Sequence, residues 1–140
     1  METLKIILLD DCDIFREGVQ LYLEEILHHQ VIATYSNAFV LLSSDKLPLA
    51  DIILMDIQMP GMNGFETTKK AQFIYPEIKV LAISNHCHQI YLEQLIYSGF
   101  KGCIHKDQIY NELNIALKSI TQGKLFFGRN IKLTSKATDK

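Results

Sequence analysis

The segment 52–64, IILMDIQMPGMNG, decides the fold, because it joins a short apolar run to an acidic residue and a loop. Its four apolar residues, 52–55, end at Asp56, and a helix-like stretch begins at residue 65. An apolar run this short, followed by a helical stretch, is typical of a strand that is buried on both faces of a parallel sheet. The segment therefore predicts a buried strand that ends at a carboxylate.

The same pattern recurs along the chain. Residues 6–9 and 80–83 are also short apolar runs that end in polar residues. Two less continuous runs, 31–35 and 102–105, lie in the intervals where the alternation requires further strands. Together with residues 52–55 these runs predict five strands.

Helix-like stretches separate the predicted strands. Residues 13–28 and the C-terminal stretch repeat apolar or small residues at the spacing of one helix face. These positions are Phe15, Gly18, Val19, Tyr22 and Ile26 in the first stretch, and Ile109, Leu113, Ala116, Leu117 and Ile120 in the last. Residues 37–44, 65–75 and 88–98 fill the remaining intervals. The alternation predicts an α/β fold with five βα units and a doubly wound, five-stranded parallel sheet.

Length and composition indicate one globular domain. The chain has 140 residues, of which 48% are hydrophobic and 21% charged. This balance is typical of a folded domain with a substantial core. Helical periodicity is lost after Gly123, so we expect a domain over residues 1–123 and a tail, or the start of a linker, over 124–140.

Charge, hydropathy and cysteine content narrow the partners and the compartment. The net charge of −2 gives no overall attraction to nucleic acid or to a membrane surface, and no run of about 18 apolar residues occurs. Cys12, Cys87 and Cys103 form no CxxC pair, which favours a reducing cytoplasm. Residues 86–88, HCH, supply at most three ligands, so we do not expect a physiological zinc site.

Acidic residues follow two of the predicted strands. Asp10 and Asp11 end the first strand and Asp56 ends the third. Because the carboxyl ends of parallel strands form one crevice, these three carboxylates should share a site. Like charges held close together favour a bound cation, and Mg²⁺ prefers hard oxygen ligands. The sequence predicts a Mg²⁺ site, to which the backbone oxygen of Gln58 could add a ligand.

Ser84 and Lys106 follow the fourth and fifth predicted strands. A lysine supplies a mobile positive charge for a phosphoryl oxygen, and a serine supplies a hydroxyl donor. Placed around a carboxylate nucleophile and a metal ion, these groups suit in-line phosphoryl transfer. The residues therefore predict that Asp56 becomes an acyl phosphate.

Residues 4–122 resemble the receiver domains of two-component response regulators. The segment 56–64, DIQMPGMNG, is similar to the family's phosphorylation-site loop, and residues 8–18, LLDDCDIFREG, are similar to the subgroup that precedes a LuxR/NarL-type helix-turn-helix. The resemblance implies a flavodoxin-like fold with strand order 2-1-3-4-5. It also implies that Asp56 is the phosphoacceptor and that Asp10, Asp11 and the Gln58 carbonyl bind the metal ion. Ser84 and Lys106 would contact the phosphate.

The resemblance implies a signalling domain that catalyses only its own phosphorylation and dephosphorylation. Its partner would be a histidine kinase or a phosphotransfer protein, and DNA would be reached only through an output domain beyond this chain. One alternative is a pseudo-receiver scaffold that binds partners without phosphorylation. Another is a phosphatase of the haloacid-dehalogenase type, but that class requires an aspartate where this chain has Gln58.

Three positions depart from the family's pattern. The residue three before Lys106 is usually aromatic and helps to report phosphorylation, whereas here it is Cys103. Asn85 replaces a residue that is usually small, and it should narrow access to the phosphate. His86 could orient or obstruct the hydrolytic water.

Apolar residues outside the main helix stripes predict a homodimer. Ile14, Leu21 and Leu23 lie off the core face of the first helix, and Ile115 lies off that of the last. If the two helices are neighbours, these side chains could form one self-complementary patch suited to two-fold pairing, which phosphorylation would shift. The alternatives are that neighbouring helices bury these side chains or, as the resemblance implies, that pairing uses the fourth helix and fifth strand.

Overall fold

The computed structural model describes residues 2–86 and 92–129, in which helices cover both faces of a parallel sheet. The strands are β1 (Lys5–Leu9), β2 (Gln30–Tyr35), β3 (Ile52–Asp56), β4 (Val80–Ser84), β5 (Gly102–His105) and β6 (Phe126–Phe127). The helices are α1 (Asp13–Leu21), α2 (Ala38–Leu42), α3 (Gly64–Ile74), α4 (Leu92–Ser98) and α5 (Ile109–Thr121). The sheet order is β2-β1-β3-β4-β5-β6, which confirms the predicted order of the first five strands and adds a sixth.

Two apolar layers lie on opposite faces of the sheet. Alternate residues of β3 point to opposite sides, so Ile53 and Met55 join the layer beneath α2, α3 and α4. Ile52 and Leu54 join the layer beneath α1 and α5. Burial on both faces explains why these strands read as continuous apolar runs.

Helix α1 continues into a π-helical turn, Tyr22–Ile26, that the sequence pattern did not predict. The amide of Leu27 donates to the carbonyl of Tyr22, five residues earlier, at 3.1 Å. This wider turn rotates the side chains that follow. Ile26 is consequently 62% exposed, whereas Leu23, four residues after the buried Val19, lies on the core face and is 0% exposed. The prediction that Ile26 belongs to the core face and Leu23 lies off it was wrong.

The chain after α5 adds β6 in parallel beside β5. The amide of Phe126 donates to the carbonyl of Lys101 at 3.1 Å, and that of Gly128 donates to Cys103 at 3.0 Å. Phe126 and Phe127 pack partly against the two apolar layers. The predicted domain boundary at residue 123 stays a prediction, and residues 130–140 of the expected tail lie outside the described part.

The helix over residues 37–44 was predicted longer than the structure shows, and only residues 92–98 of the predicted helix 88–98 lie in the described part of the chain. Helix α2 covers five residues, and Asn37 caps it by accepting a hydrogen bond from the amide of Val40 at 3.0 Å. Of the predicted stretch 88–98, the structure describes α4 from residue 92 onward. Within the described residues, no helix is long and apolar enough to cross a membrane.

Candidate functional site

The carboxyl ends of the strands bring the predicted acidic residues together. Asp10 directly follows β1, Asp56 ends β3, and Asp11 adjoins Asp10 in the loop. One carboxylate oxygen from each of the three residues lies within 4.8 Å of the other two. Asp10 and Asp56 are buried and Asp11 is exposed, so the cluster opens to solvent on one side.

Lys106 reaches this cluster from the end of β5. Its Nζ lies 2.8 Å from Oδ2 of Asp10 and 3.4 Å from Oδ2 of Asp56. The same ammonium lies 4.5 Å from the ring centroid of Phe15, in the first turn of α1. A cation over an aromatic face is stabilised electrostatically. Phe15 therefore helps to hold Lys106, a role that the sequence analysis missed because it assigned Phe15 only to packing.

Arg16 and the start of α1 fix the loop that carries the first two acids. The guanidinium of Arg16 donates to the backbone carbonyl of Asp10 and, at 2.7 Å, to Oδ1 of Asp13. The amide of Cys12 donates to Oδ1 of Asp10 at 2.8 Å. These bonds hold the Asp10 backbone and one of its carboxylate oxygens in place. Arg16 was not among the predicted site residues, although it follows Asp13 at a spacing that brings helical side chains together.

The loop after Asp56 passes closely under the start of α3. A Cβ atom at Gly64 would lie 2.7 Å from the carbonyl oxygen of Asp56 and 2.8 Å from Cα of Ile57. The amide of Gly64 donates to the carbonyl of Ile57 at 2.7 Å. Only glycine fits this close backbone approach, which explains its place at the end of the opening motif.

Gln58 contacts the other carboxylate oxygen of Asp56, and Ser84 contacts Gln58. The amide of Gln58 donates to Oδ1 of Asp56 at 3.3 Å. The buried Ser84 hydroxyl donates to Oε1 of Gln58 at 3.2 Å and accepts from the amide of His86 at 2.9 Å. The metal-binding role of the Gln58 carbonyl stays a prediction.

Burial and charge change the proton affinity of two site residues. Burial, followed by the charge of Asp10, raises the pKa of Asp56 to about 6, although Lys106 opposes the rise. Burial alone would lower the pKa of Lys106, but contacts with Asp10 and Asp56 outweigh it and raise that pKa. Lys106 therefore stays charged, while Asp56 is partly protonated near pH 6.

The acidic cluster fits a hard divalent cation. Oδ2 of Asp10 is buried, with the Lys106 ammonium 2.8 Å away. Carboxylate oxygens are the ligands that Mg²⁺ and Ca²⁺ prefer. Asp10, Asp11 and Asp56 could therefore hold such an ion, and its charge would offset their mutual repulsion.

The positions that depart from the family's pattern lie in different environments. Cys103 is fully buried in the apolar layer beneath α2, α3 and α4, and Phe127 of β6 pairs with it. Asn85 and His86 are exposed beside the site. Residues 87 and 88 of the zinc hypothesis lie outside the described part of the chain.

Comparison with known proteins identifies the family. Residues 6–118 match the response regulator receiver domain. The transcriptional regulatory protein DegU of Brevibacillus brevis is 32% identical over 120 residues, which cover 86% of this chain and 51% of that protein. The transcriptional regulatory protein LnrK of Bacillus subtilis (strain 168) is 33% identical over 120 residues, with coverages of 86% and 54%. The chain thus spans about half the length of these curated relatives.

A solved structure supports the same assignment. The two-component response regulator of the LuxR family from Aurantimonas sp. SI85-9A1 superposes with a TM-score of 0.84 at 25% identity, over 93% of each chain. Together with the relatives, it confirms the predicted flavodoxin-like fold and the resemblance to receivers of LuxR/NarL-type regulators. The chain therefore belongs to the response regulator receiver domain family.

Proposed function

We propose that this receiver domain takes a phosphoryl group from a histidine kinase, or from a phosphotransfer protein, onto Asp56. The observation that carries the proposal is a buried carboxylate set between two further acids and an ammonium group, with Nζ of Lys106 3.4 Å from Oδ2 of Asp56. Phosphoryl transfer depends on positioning and on charge neutralisation, and this arrangement supplies both.

Mg²⁺ is the proposed cofactor. Asp10, Asp11, Asp56 and the backbone carbonyl of Gln58 would hold it. When bound, it supplies positive charge for the phosphoryl oxygens and neutralises the acidic cluster.

The protein residues carry out the transfer. A carboxylate oxygen of Asp56 attacks phosphorus in line, and the bond to the donor breaks with its electron pair on the leaving group. Lys106 leaves Asp10 and pairs with a phosphoryl oxygen of the new acyl phosphate. The Ser84 hydroxyl turns from Gln58, 3.2 Å away, and donates to the same phosphoryl group.

The wider role follows the family. The domain acts in signalling and catalyses only its own phosphorylation and dephosphorylation, in the cytoplasm. We propose that residues 1–123 form the receiver and that 124–140 begin a linker or tail, whose first residues pair with the sheet as β6. DNA would be contacted only through an output domain beyond this chain.

Phosphorylation would change a homodimer contact between the first and last helices. Ile14 of α1 is 84% exposed, and Leu21 and Ile115 are also exposed on α1 and α5. These helices cover the same face of the sheet. These three apolar side chains form the proposed self-complementary surface. Leu23, which was predicted to belong to it, is buried and takes no part.

A phosphorylation-independent scaffold is the second candidate, and Cys103 favours it. The thiol is fully buried, and a small buried side chain cannot report phosphorylation by swinging outward. Such a scaffold would keep its partner surface constant whether or not Asp56 is modified.

Intact-mass analysis after treatment with a small phosphodonor tests the proposal. Wild type should gain the mass of one phosphoryl group with Mg²⁺ and remain unmodified in a chelator. Asp56→Asn should gain nothing, whereas Asp45→Asn, which changes an exposed loop acid, should be labelled as wild type is. Equal labelling of wild type and Asp56→Asn would reject Asp56 as the acceptor, and no labelling of wild type would favour the scaffold.

A further inference from the structure

Phe15 lies where the apolar layer beneath α1 and α5 meets the acidic cluster. It stands in the first turn of α1, is half-buried and packs partly against that layer. Nζ of Lys106 lies over its ring, 4.5 Å from the centroid. The apolar layer would also accept an aliphatic side chain of similar size, so packing alone does not require an aromatic residue here. The contact with the ammonium group is what an aliphatic side chain could not supply.

The ammonium group of Lys106 has neighbours of two kinds. Two are carboxylates, Asp10 at 2.8 Å and Asp56 at 3.4 Å, and another is the Phe15 ring. Both carboxylates have a second proposed partner, since the metal ion would bind them and the phosphoryl group would be joined to Asp56. The ring has no such competing partner. Its attraction for the ammonium group therefore does not depend on whether the carboxylates are engaged elsewhere.

The start of α1 holds the Phe15 ring in place. The guanidinium of Arg16 donates to the carbonyl of Asp10 and to the carboxylate of Asp13. The amide of Arg16 donates to the carbonyl of Cys12 at 3.0 Å, which closes the first turn of the helix. These bonds tie the turn that carries Phe15 to the loop that carries Asp10. The ring and the Asp10 carboxylate therefore approach the lysine from one hydrogen-bonded unit.

We propose that Phe15 is a positioning residue for phosphoryl transfer, which holds the Lys106 ammonium beside Asp56 through the electron-rich face of its ring. This role rests on the proposed phosphorylation of Asp56. A lysine side chain is long and flexible, so holding it in one arrangement costs conformational entropy. The ring offsets this cost and, because it carries no net charge, does not neutralise the ammonium group. Lys106 thus stays close to Asp56 and available to a phosphoryl oxygen.

Ring fluorination separates the electrostatic role of Phe15 from its packing. Each fluorine draws electrons from the ring face and weakens its attraction for a cation, while the shape of the side chain changes little. Wild type is compared with proteins that carry phenylalanine with one, two or three ring fluorines at position 15. The rate at which a small phosphodonor labels Asp56 with Mg²⁺ should fall with each fluorine. With three fluorines it should be about fivefold lower than in wild type, equivalent to about 1 kcal/mol.

Natural side chains give a second series and a control. Phe15→Leu keeps an apolar side chain but loses the ring, so its labelling should be about as slow as that of the trifluorinated protein. Phe15→Tyr keeps the ring face and should be labelled at nearly the wild-type rate. The same fluorinated residues at Phe73, which is 89% exposed on α3, are the matched control and should leave the labelling rate unchanged.

Proton NMR of the unmodified, metal-free protein detects the contact itself. Protons that lie over an aromatic ring are shifted upfield by its ring current. The ε-methylene protons of Lys106 should therefore be shifted upfield in wild type and in Phe15→Tyr. In Phe15→Leu they should return to the usual position for lysine. This measurement does not require phosphorylation of Asp56.

Failure of the Phe15 role and failure of the proposed function give different results. A labelling rate that is independent of fluorination, or a Phe15→Leu protein labelled as fast as wild type, would overturn the role of Phe15 and leave Asp56 as the acceptor. An upfield shift at Lys106 that persists in Phe15→Leu would also overturn it, because a different ring would then cause the shift. No labelling of wild type would reject the proposed function and, with it, the role of Phe15.

Discussion

Replacing Asp56 with asparagine should stabilise the metal-free protein at neutral pH. The side chain of Asp56 is 6% exposed, and burial with the nearby Asp10 charge raises its pKa to about 6 from the usual 3.8. The ionised carboxylate is therefore unfavourable in the folded state. Asparagine has a similar shape but carries no charge, so it removes this cost.

The sign and size of the effect follow from proton linkage. Between pH 3.8 and about 6, the folded protein holds the Asp56 proton while the unfolded chain has released it. Stability therefore falls as the pH rises through this window and is level above it. Each pKa unit corresponds to about 1.4 kcal/mol, so the ionised group costs about 3 kcal/mol at pH 7.5. Burying an asparagine amide offsets part of the gain, and we expect Asp56→Asn to be about 2 kcal/mol more stable there.

Urea unfolding followed by far-ultraviolet circular dichroism, in the presence of a chelator, measures the difference at pH 4 and pH 7.5. The two proteins should be similar in stability at pH 4 and should diverge by pH 7.5. Asp45→Asn, in an exposed loop, should track wild type at both values. An Asp56→Asn variant that is less stable than wild type at pH 7.5, or equally displaced at both pH values, would refute the reasoning.

Three further predictions test other parts of the structure. Burial lowers the pKa of His29 in the folded protein. Below about pH 6.5 the unfolded chain therefore takes up a proton that the folded protein does not, and wild type loses stability as the pH falls. In urea unfolding, His29→Gln should lose less stability than wild type between pH 7 and pH 5. Gly102→Ala should accelerate hydrogen exchange at the β6 amides, since its Cβ would collide with the backbone carbonyl oxygen of Phe126. In sedimentation with Mg²⁺ and beryllofluoride, wild type should shift towards dimer and Leu21→Glu with Ile115→Glu should stay monomeric; a folded double variant that still dimerises would exclude that surface.

The sheet and the acidic cluster could be predicted because they depend on simple patterns. Strands buried on both faces must be apolar throughout, so runs such as 52–55 are visible without any structure. Parallel pairing then places the ends of β1 and β3 side by side, which brings Asp10 and Asp56 together from positions far apart in sequence. Neither inference required knowledge of how the side chains pack.

Features that depend on a single local choice could not be predicted in this way. The π-helical turn shifts the side chains that follow it by one residue relative to a regular α-helix. Its sequence, residues 22–26, contains no proline or glycine that would indicate such a turn. Strand β6 has only two residues, too few for a periodic signal. The contact of Phe15 with Lys106 joins α1 to β5 across the site, and its apolar ring reads as core in the sequence.

The charge balance of the site connects the stability prediction with the proposed Mg²⁺ requirement. Three ionised carboxylates and the Lys106 ammonium leave a net charge of −2. Without metal, protonation of Asp56 reduces this charge only near or below pH 6, where the protonated carboxyl is a poor nucleophile. At neutral pH the ionised carboxylate instead destabilises the fold. A divalent cation brings the total to zero with Asp56 ionised, so the same ion would stabilise the fold and activate the acceptor. It follows that saturating Mg²⁺ should narrow the stability difference between wild type and Asp56→Asn, because the ion binds the folded wild type more tightly.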